Sequence, residues 1–320
     1  MPDQKKILVT RKLPDAVSAR ARATYQATLN TDDDPYDADH MIELAHGMDA
    51  VLCTITNDMS GGVIARLPES IRAIATFSVG YEHIDLEAAR ARGIVVTNTP
   101  GVLTEATADI ALLLMLGASR RVREGAEMIA AGWRGWTPTQ LMGISLQSKR
   151  LGILGMGEIG QACAARARAF GMEIHYHNRT RLSAELEEGA VYHGSAEELL
   201  KVSDFLSLHC PLTADTKHFL NEERIALLPQ NPVVINTARG PVVDDEALIA
   251  ALKSRRVAAA GLDVFEGEPN LNPGYLDCDN AFLLPHLGSA TTETRNAMGF
   301  TALDNLDAVF AGKEPPNKLA

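Results

Sequence analysis

Cysteine is scarce in this sequence and is never paired at close spacing. The 320 residues contain four cysteines, Cys53, Cys163, Cys210 and Cys278, and no CxxC pair. Zinc fingers and zinc ribbons need such pairs, and small secreted domains need a dense cysteine framework. The spacing therefore argues against a metal site and against a secreted disulfide scaffold. A chain of this length can bury a core without either.

Long apolar runs and an excess of positive charge are also missing. The longest apolar run, around residues 110–115, is far shorter than the roughly 20 residues that span a bilayer. The 41 acidic and 30 basic residues give a net charge of −11, which disfavours binding to nucleic acid or to an anionic membrane. The N-terminal MPDQKK leads directly into a predicted strand, so no signal peptide is expected. These features predict a cytoplasmic protein with neither a membrane nor a nucleic-acid partner.

Short apolar runs alternate with helical patterns along the whole chain, within an ordinary globular composition of 46% hydrophobic and 22% charged residues. This alternation is typical of α/β proteins with parallel sheets. A first series of predicted strands covers residues 5–10, 49–54, 71–79 and 93–99. A second series covers residues 150–155, 173–177, 204–210, 232–238, 258–265 and 281–286. Predicted helices cover residues 37–47, 84–93, 103–123, 161–170, 244–254 and 292–312.

Two strand series indicate two doubly wound parallel-sheet domains. The second series carries the dinucleotide motif described next, so we assign residues 101–288 to a dinucleotide-binding domain. Residues 1–100 then form a substrate domain. We expect the last helix to return to that domain, which adds residues 289–320 to it.

The most specific local motif is Gly155-Met-Gly157-Glu-Ile-Gly160, which follows a predicted strand and opens a predicted helix. In this position each glycine has a physical reason. Gly155 allows a tight turn, Gly157 allows close approach of a pyrophosphate, and Gly160 lets the helix pack on the strand. The first helical turn offers free N–H groups and the positive end of the helix dipole. The motif predicts a bound dinucleotide.

The end of the next strand bears on which dinucleotide binds. NAD-binding domains carry an Asp or Glu here, which accepts hydrogen bonds from the adenosine ribose. This chain has Asn178, Arg179, Thr180 and Arg181 instead. Guanidinium groups bind phosphate oxygens through charge-assisted, bidentate hydrogen bonds. We therefore predict a preference for NADP(H), with NAD(H) left open as a second cofactor; a solvated turn would also explain two arginines here.

Arg239 comes after PVVINTA, Glu268 after AAAGLDVF and His286 after AFLL, at the ends of three successive predicted strands of the second series. Ligands of open α/β sheets bind beyond the carboxyl ends of the strands, so these side chains are expected close together. Singly, each is explained as an ordinary loop residue. Together they suit hydride transfer to a 2-oxo acid. The arginine would hold and polarise the substrate, the histidine would protonate the developing alkoxide, and the carboxylate would orient the histidine and favour its protonated form.

Four segments follow the pattern of a known enzyme family: GMGEIG (155–160), NTARGPVVDDEAL (236–248), AAGLDVFEGEP (259–269) and PHLGSAT (285–291). In them the chain resembles the D-isomer-specific 2-hydroxyacid dehydrogenases. The resemblance covers nearly the whole chain and is greatest to the glyoxylate/hydroxypyruvate reductases. It implies a Rossmann dinucleotide-binding domain inserted into a flavodoxin-like substrate domain. It also implies reduction of glyoxylate or hydroxypyruvate, with Arg239, Glu268 and His286 as the catalytic set.

The resemblance implies further site residues. Backbone N–H groups of Val79 and Gly80 would bind the substrate carboxylate, and His286, Ser289 and Trp136 would line the same site. It also implies a homodimer built on the dinucleotide-binding domain around the 103–123 helix, with Trp136 reaching the partner's site. The full set of predicted cofactor contacts is Gly155, Gly157, Glu158, Ile159, Gly160, Asn178, Arg179, Thr180, Arg181, Cys210, Pro211, Thr237, Ala238, Arg239, Asp263, His286 and Gly288.

Some alternatives stay open at this point. The chain has Glu158 where many relatives have arginine, which removes one phosphate partner. A same-family reductase of a bulkier acid such as 2-ketogluconate is the second candidate, with pocket size set near Leu52, Cys53, Thr54 and Trp136. A dinucleotide-sensing corepressor of the same fold is disfavoured because no extended peptide-binding tail is visible. Oxidation of formate or phosphite is disfavoured by the 177–181 segment.

Overall fold

A computed structural model describes residues 4–320, which form two compact units. The split unit consists of the chain up to Leu103 together with Thr291–Ala320, and the continuous unit is Thr104–Ala290. The predicted boundaries at residues 100 and 288 lie three and two residues from these positions. Each unit is built on one sheet, and all strand pairs in both sheets are parallel.

The split unit contains five strands: β1 (Lys6–Val9), β2 (Gln26–Leu29), β3 (Ala50–Cys53), β4 (Ala73–Thr76) and β5 (Val95–Thr97). They lie in the order β2-β1-β3-β4-β5, which is the order of flavodoxin-like domains. Its helices are α1 (Asp15–Thr24), α2 (Ala38–Leu44), α3 (Gly61–Arg66), α4 (Leu86–Ala91) and, from the end of the chain, α12 (Thr292–Phe310).

Both faces of this sheet are buried. Along β1, Leu8 joins one apolar cluster, with α2, α3 and α4, while Ile7 and Val9 join another, with α1 and α12. Successive side chains of a strand point to opposite faces, so a strand covered by helices on both sides is apolar throughout. This explains the continuous apolar runs in the sequence.

The continuous unit contains seven strands: β6 (Arg150–Leu154), β7 (Glu173–His177), β8 (Val191–Tyr192), β9 (Phe205–Leu208), β10 (Val233–Asn236), β11 (Ala259–Leu262) and β12 (Ala281–Leu283). They lie in the order β12-β11-β10-β9-β6-β7-β8. With β6 as the first strand, this is the Rossmann order with one strand added at the edge. The helices are α5 (Thr104–Ser119), α6 (Val122–Ala130), α7 (Glu158–Ala169), α8 (Ala184–Glu187), α9 (Ala196–Val202), α10 (Glu222–Leu227) and α11 (Asp245–Lys253).

Helix α5 packs on β10, β11 and β12 through small residues. A Cβ on Gly261 of β11 would lie 2.7 Å from the backbone oxygen of Leu114. A Cβ on Gly117 would lie 2.3 Å from the Phe282 ring. Glycine at these two positions therefore lets the helix approach the sheet closely.

The structure corrects several predicted elements. The helix predicted over residues 103–123 ends at Ser119, because the Ser119 carbonyl accepts a hydrogen bond from the Ile144 N–H and Arg121 is left-handed at φ 57°. A second helix, α6, then begins. Strands β2 and β8 were not predicted. Several predicted strands are too long, and their excess carboxyl-terminal residues form the loops that carry the candidate site.

No helix within residues 4–320 has the combination of length and hydropathy that a membrane span requires.

Candidate active site

The predicted catalytic residues follow adjacent strands of the continuous unit. Arg239 lies three residues beyond β10, Glu268 six beyond β11 and His286 three beyond β12. The strands β12, β11 and β10 are neighbours in the sheet, so their carboxyl ends lie side by side. The structure thus brings together three residues that are up to 47 positions apart in the sequence.

The Arg239 loop is fixed by a buried asparagine at the end of β10. The Asn236 side-chain oxygen accepts a hydrogen bond from the Ala238 N–H at 3.0 Å, and its amide nitrogen donates to the Arg239 carbonyl at 2.9 Å. Asn236 is only 1% exposed, so this turn has little freedom. The next residue, Gly240, packs on the backbone of the neighbouring loop: a Cβ there would lie 1.8 Å from the Phe265 carbonyl carbon. The loops of Arg239 and Glu268 are therefore in direct contact.

Glu268 and His286 form a hydrogen-bonded pair. The Glu268 Oε2 and His286 Nδ1 atoms are 2.7 Å apart, and the Phe265 N–H donates to Glu268 Oε1 at 2.8 Å. Burial alone would raise the pKa of Glu268. The hydrogen bond and charge of His286, the Phe265 N–H and the charge of Arg239 outweigh it, and hold that pKa below its ordinary value. The carboxylate stays ionised and accepts a hydrogen bond from the Nδ1–H group of His286. The Nε2 atom of the ring is then available to a ligand.

Asp263, directly after β11, holds the His286 loop through backbone contacts. Its side chain is 1% exposed, and its two oxygens accept hydrogen bonds from the N–H groups of Leu287 and Gly288 at 2.6 and 2.7 Å. Its carbonyl accepts a hydrogen bond from the His286 N–H at 2.9 Å. Burial raises the pKa of Asp263, and the two backbone donors work against that rise. His286 itself has φ +55°, a conformation that needs such support in a non-glycine residue. The predicted contact of Asp263 with a cofactor stays a prediction.

The glycine loop has the geometry that a dinucleotide requires. Gly155 has φ +95°, and a Cβ there would lie 2.7 Å from the Cys210 nitrogen. A Cβ on Gly160 would lie 2.5 Å from the Gly155 oxygen. Nothing lies within 4 Å of a Cβ built on Gly157, which caps α7 and precedes Glu158 and Ile159. Two glycines thus serve packing, while the third leaves open space at a helix N-terminus. These residues fit a dinucleotide pyrophosphate.

Asn178 occupies the position at which NAD-binding domains carry an acid, and its side chain is turned toward the glycine loop. Its Oδ1 accepts a hydrogen bond from the Met156 N–H at 2.6 Å, and its Nδ2 donates to the Met156 carbonyl at 3.3 Å. An amide can accept from the N–H and donate to the carbonyl of one residue, which a carboxylate cannot do. Asn178 therefore shapes the loop that would receive the pyrophosphate.

The two arginines after β7 have different surroundings. Arg181 forms a bidentate ion pair with Glu187, at 2.7 and 3.1 Å, and Glu187 also accepts a hydrogen bond from the Tyr176 hydroxyl. These donors lower the pKa of Glu187 to about 2. Arg179 is exposed and makes no hydrogen bond or ion pair within residues 4–320. Thr180, between them, is exposed as well.

The other predicted residues lie in four places. Cys210, Thr237 and Ala238 are buried behind the glycine loop and the Arg239 turn, and Pro211 is exposed beside Cys210. Gly288 and Ser289 continue the His286 loop. Val79 and Gly80 belong to the split unit, in the bend after β4. Trp136 lies after α6 and is 73% exposed.

His209 was missed by the sequence reasoning and lies among these residues, between Leu208 of β9 and Cys210. Its two ring nitrogens are 2.8 Å from Ser207 Oγ and 3.4 Å from Thr237 Oγ1. Burial lowers the pKa of His209 to about 4. The ring is therefore neutral near pH 7. A lone histidine at a strand end gives no sequence signal that separates it from a surface residue.

We expect His209 to make the folded protein sensitive to acid. The unfolded imidazole takes up a proton near its ordinary pKa of about 6.5, whereas the folded one resists until about pH 4. Stability is then fully present above pH 6.5 and is lost as the pH falls toward 4, by up to about 3 kcal/mol from this group. Thermal denaturation of His209→Gln should show a shallower loss over this range. Equal pH dependence of the stability of the two proteins would contradict the assignment. The stabilities at pH 8 are the internal reference, because His209 is neutral there in both the folded and the unfolded wild-type protein.

Known proteins resemble this chain along its full length. The sequence profile of the D-isomer specific 2-hydroxyacid dehydrogenase NAD binding domain matches residues 112–288. The glycerate dehydrogenase of Hyphomicrobium methylovorum is 48% identical, over 99% of this chain and 99% of its own. The glyoxylate reductase of Thermococcus litoralis is 43% identical, over 98% of this chain and 96% of its own.

A solved structure agrees with these sequence relatives. The crystal structure of an NADPH-dependent glyoxylate/hydroxypyruvate reductase from Sinorhizobium meliloti, in complex with NADP and malonate, matches with a TM-score of 0.88 and 34% identity. The match covers 99% of this chain and 97% of that one. With the two parallel sheets and the matching profile, these similarities show that the chain belongs to the D-isomer-specific 2-hydroxyacid dehydrogenase family.

Proposed function

We propose that this enzyme reduces small 2-oxo acids, with glyoxylate and hydroxypyruvate as the preferred substrates, to 2-hydroxy acids. The observation that carries the proposal is the 2.7 Å pair of Glu268 and His286, in contact range of the Arg239 loop at adjacent strand ends. The relatives support the substrate class. A glycerate dehydrogenase and a hydroxypyruvate reductase name the two directions of one interconversion, because oxidation of glycerate at C2 gives hydroxypyruvate.

The proposed catalytic roles follow from which side-chain atoms of the site already have a hydrogen-bond partner. His286 Nδ1 is bound to Glu268, so Nε2–H is the proton donor to the ketone oxygen as it becomes a hydroxyl. Arg239 stabilises the negative charge that develops on that oxygen. The N–H groups of Val79 and Gly80 bind the substrate carboxylate. A bound nicotinamide dinucleotide supplies the hydride.

NADP(H) is the proposed preferred cofactor, and the support comes from Arg179. No carboxylate follows β7 at Asn178, so nothing at that position repels a 2′-phosphate. Arg181 forms an ion pair with Glu187, which offsets its positive charge. Arg179 is exposed and makes no ion pair within the described residues. Arg179 is therefore the main counter-charge proposed for the phosphate, with Thr180 beside it. NAD(H) is the other candidate, because the matching family profile describes an NAD binding domain.

A homodimer in the cytoplasm is the proposed state of the enzyme. Large apolar side chains stay exposed on α6 and the segment after it: Ile129 63%, Trp133 51%, Trp136 73% and Met142 68%. An apolar surface of this kind on a folded unit indicates a partner surface. We propose that α5, α6 and this segment pair with a second copy, with Trp136 reaching the partner's substrate.

The dimer has a direct test. Sedimentation velocity at micromolar concentration should show about twice the monomer mass. Replacing Trp133 and Met142 by Ser should shift the protein toward monomer, because two apolar contacts are lost. A wild-type protein that sediments as a monomer at all accessible concentrations would contradict the proposal.

One kinetic panel tests substrate and cofactor together. We expect kcat/KM for glyoxylate and hydroxypyruvate to exceed that for 2-ketogluconate and phenylpyruvate. We also expect kcat/KM measured with NADPH to exceed kcat/KM measured with NADH. Arg179→Ala should lower kcat/KM with NADPH by tenfold or more, since a charge-assisted phosphate contact contributes about 1.5–3 kcal/mol. Its rate with NADH is the matched control and should change little. A bulky acid turned over ten times better than glyoxylate would overturn the substrate choice.

The catalytic set is tested by single substitutions. His286→Ala should lower kcat by 10²–10⁴-fold, the usual contribution of general acid catalysis, while NADPH affinity measured by fluorescence stays near wild type. Arg239→Ala should raise the substrate KM and lower kcat, because the guanidinium both binds and polarises. A His286→Ala enzyme that retains most of its turnover would remove this residue from the acid–base role.

A further inference from the structure

The bend after β4 contains the backbone N–H groups of two successive residues, Val79 and Gly80. Neither the Val79 N–H nor the Gly80 N–H donates a hydrogen bond within residues 4–320. Gly80 is buried and Val79 is half-buried. Buried backbone donors are almost always paired, so two adjacent ones without an acceptor indicate a place for a bound anion.

The carbonyls of the same two peptide groups are, by contrast, firmly held. The Ser78 carbonyl accepts a hydrogen bond from the Thr99 N–H at 2.9 Å. The Val79 carbonyl accepts one from the Asn98 side-chain amide at 2.8 Å. In a planar trans peptide the N–H points away from the C=O, so fixing each carbonyl fixes the direction of the N–H. Both anchors come from the residues that follow β5, the neighbouring strand.

Asn98 is itself held in place by two other asparagines. The Asn305 side chain, in α12, donates to the Asn98 carbonyl at 3.0 Å, and the Asn98 N–H donates to the Asn317 carbonyl at 3.2 Å. The Asn305 side-chain oxygen in turn accepts the Asn317 N–H at 3.2 Å. Asn305 is fully buried and Asn98 is 7% exposed. The Asn98 amide therefore has little freedom to leave the Val79 carbonyl.

We infer that Asn98 is a positioning residue for substrate binding. Its amide orients the Val79–Gly80 peptide so that the Gly80 N–H is aligned with a carboxylate oxygen, and by polarising that peptide it strengthens the donor. The inference rests on the proposed function, which places the substrate carboxylate at Val79 and Gly80. Asn98 acts through the peptide and does not need to touch the substrate.

Another side chain in the same bend does not have this effect. Ser78 Oγ donates to the Gly80 carbonyl at 2.6 Å and is linked through Thr76 to His83. The N–H of that peptide belongs to Tyr81, which is not one of the two adjacent donors. The hydrogen bonds of Ser78 therefore stabilise the bend, whereas Asn98 acts on the peptide that presents the Gly80 N–H.

The test compares two pairs of variants in the full-length enzyme. Asn98→Ala removes the donor, and Asn98→Asp keeps the shape but replaces the donor by an acceptor facing the Val79 carbonyl. The matched controls are Asn30→Ala and Asn30→Asp. Asn30 is also a buried asparagine of the split unit, 4% exposed, whose amide donates to the carbonyls of Thr10 and Asp34. Readouts are the KM and kcat for glyoxylate, the dissociation constant of oxamate from the enzyme–NADPH complex, the NADPH dissociation constant and the Tm.

We expect both Asn98 variants to raise the glyoxylate KM and the oxamate dissociation constant by tenfold or more, with NADPH binding within twofold of wild type. The Asn30 variants should lower Tm by an amount similar to that of the Asn98 variants. They should leave the glyoxylate KM and the oxamate dissociation constant near the wild-type values. Asn98→Asp keeps the test possible if Asn98→Ala does not fold. Wild-type turnover with unchanged constants in the Asn98 variants would overturn this inference alone. A wild-type protein that reduces no 2-oxo acid with either cofactor would overturn the proposed function and this inference with it.

Discussion

The candidate site depends on a single buried carboxylate, that of Asp263. The residue joins three neighbouring strand ends: its N–H donates to the Asn236 carbonyl, its carbonyl accepts from His286, and its side chain accepts from Leu287 and Gly288. A buried charge is costly unless it is fully hydrogen-bonded, so this arrangement tolerates little displacement. It is what keeps His286 in a left-handed backbone conformation and within 2.7 Å of Glu268.

Side-chain amides fix the other loops of both units in a similar way. Asn236 clamps the Arg239 turn, Asn178 clamps the glycine loop at Met156, and Asn98 clamps the Val79 carbonyl. Loops at the ends of parallel strands have backbone groups that the sheet does not pair, and an amide can satisfy a donor and an acceptor together. These asparagines hold the backbone of their own loops, as Asp263 holds that of the His286 loop.

The family and the likeness of fold do not by themselves select a substrate. Relatives of similar identity are named for glycerate and for glyoxylate, which differ in size and in the direction of the reaction. What the names of the family and of these relatives share is a 2-oxo or 2-hydroxy acid.

Much of the architecture, and the positions of Arg239, Glu268 and His286 at strand ends, could be predicted from local patterns. The order of strands and helices, the glycine motif and the placement of Arg239, Glu268 and His286 after strands depend on periodicity and on glycine positions, which are encoded within short segments. Short elements such as β8, and the end of α5 at Ser119, could not be read in this way. The α5 end is set by Ile144, a residue 25 positions later in the chain.

The sequence by itself determined the fold class and the chemistry that the site residues can perform, because those follow from residue type and from spacing along the chain. Only the tertiary structure decided how these residues are held. The ion pair that occupies Arg181, the backbone clamp by Asp263 and the contact of Asn305 with Asn98 across 207 positions are such cases. Each depends on the direction of a side chain toward a partner brought near by folding, and no local pattern encodes that direction.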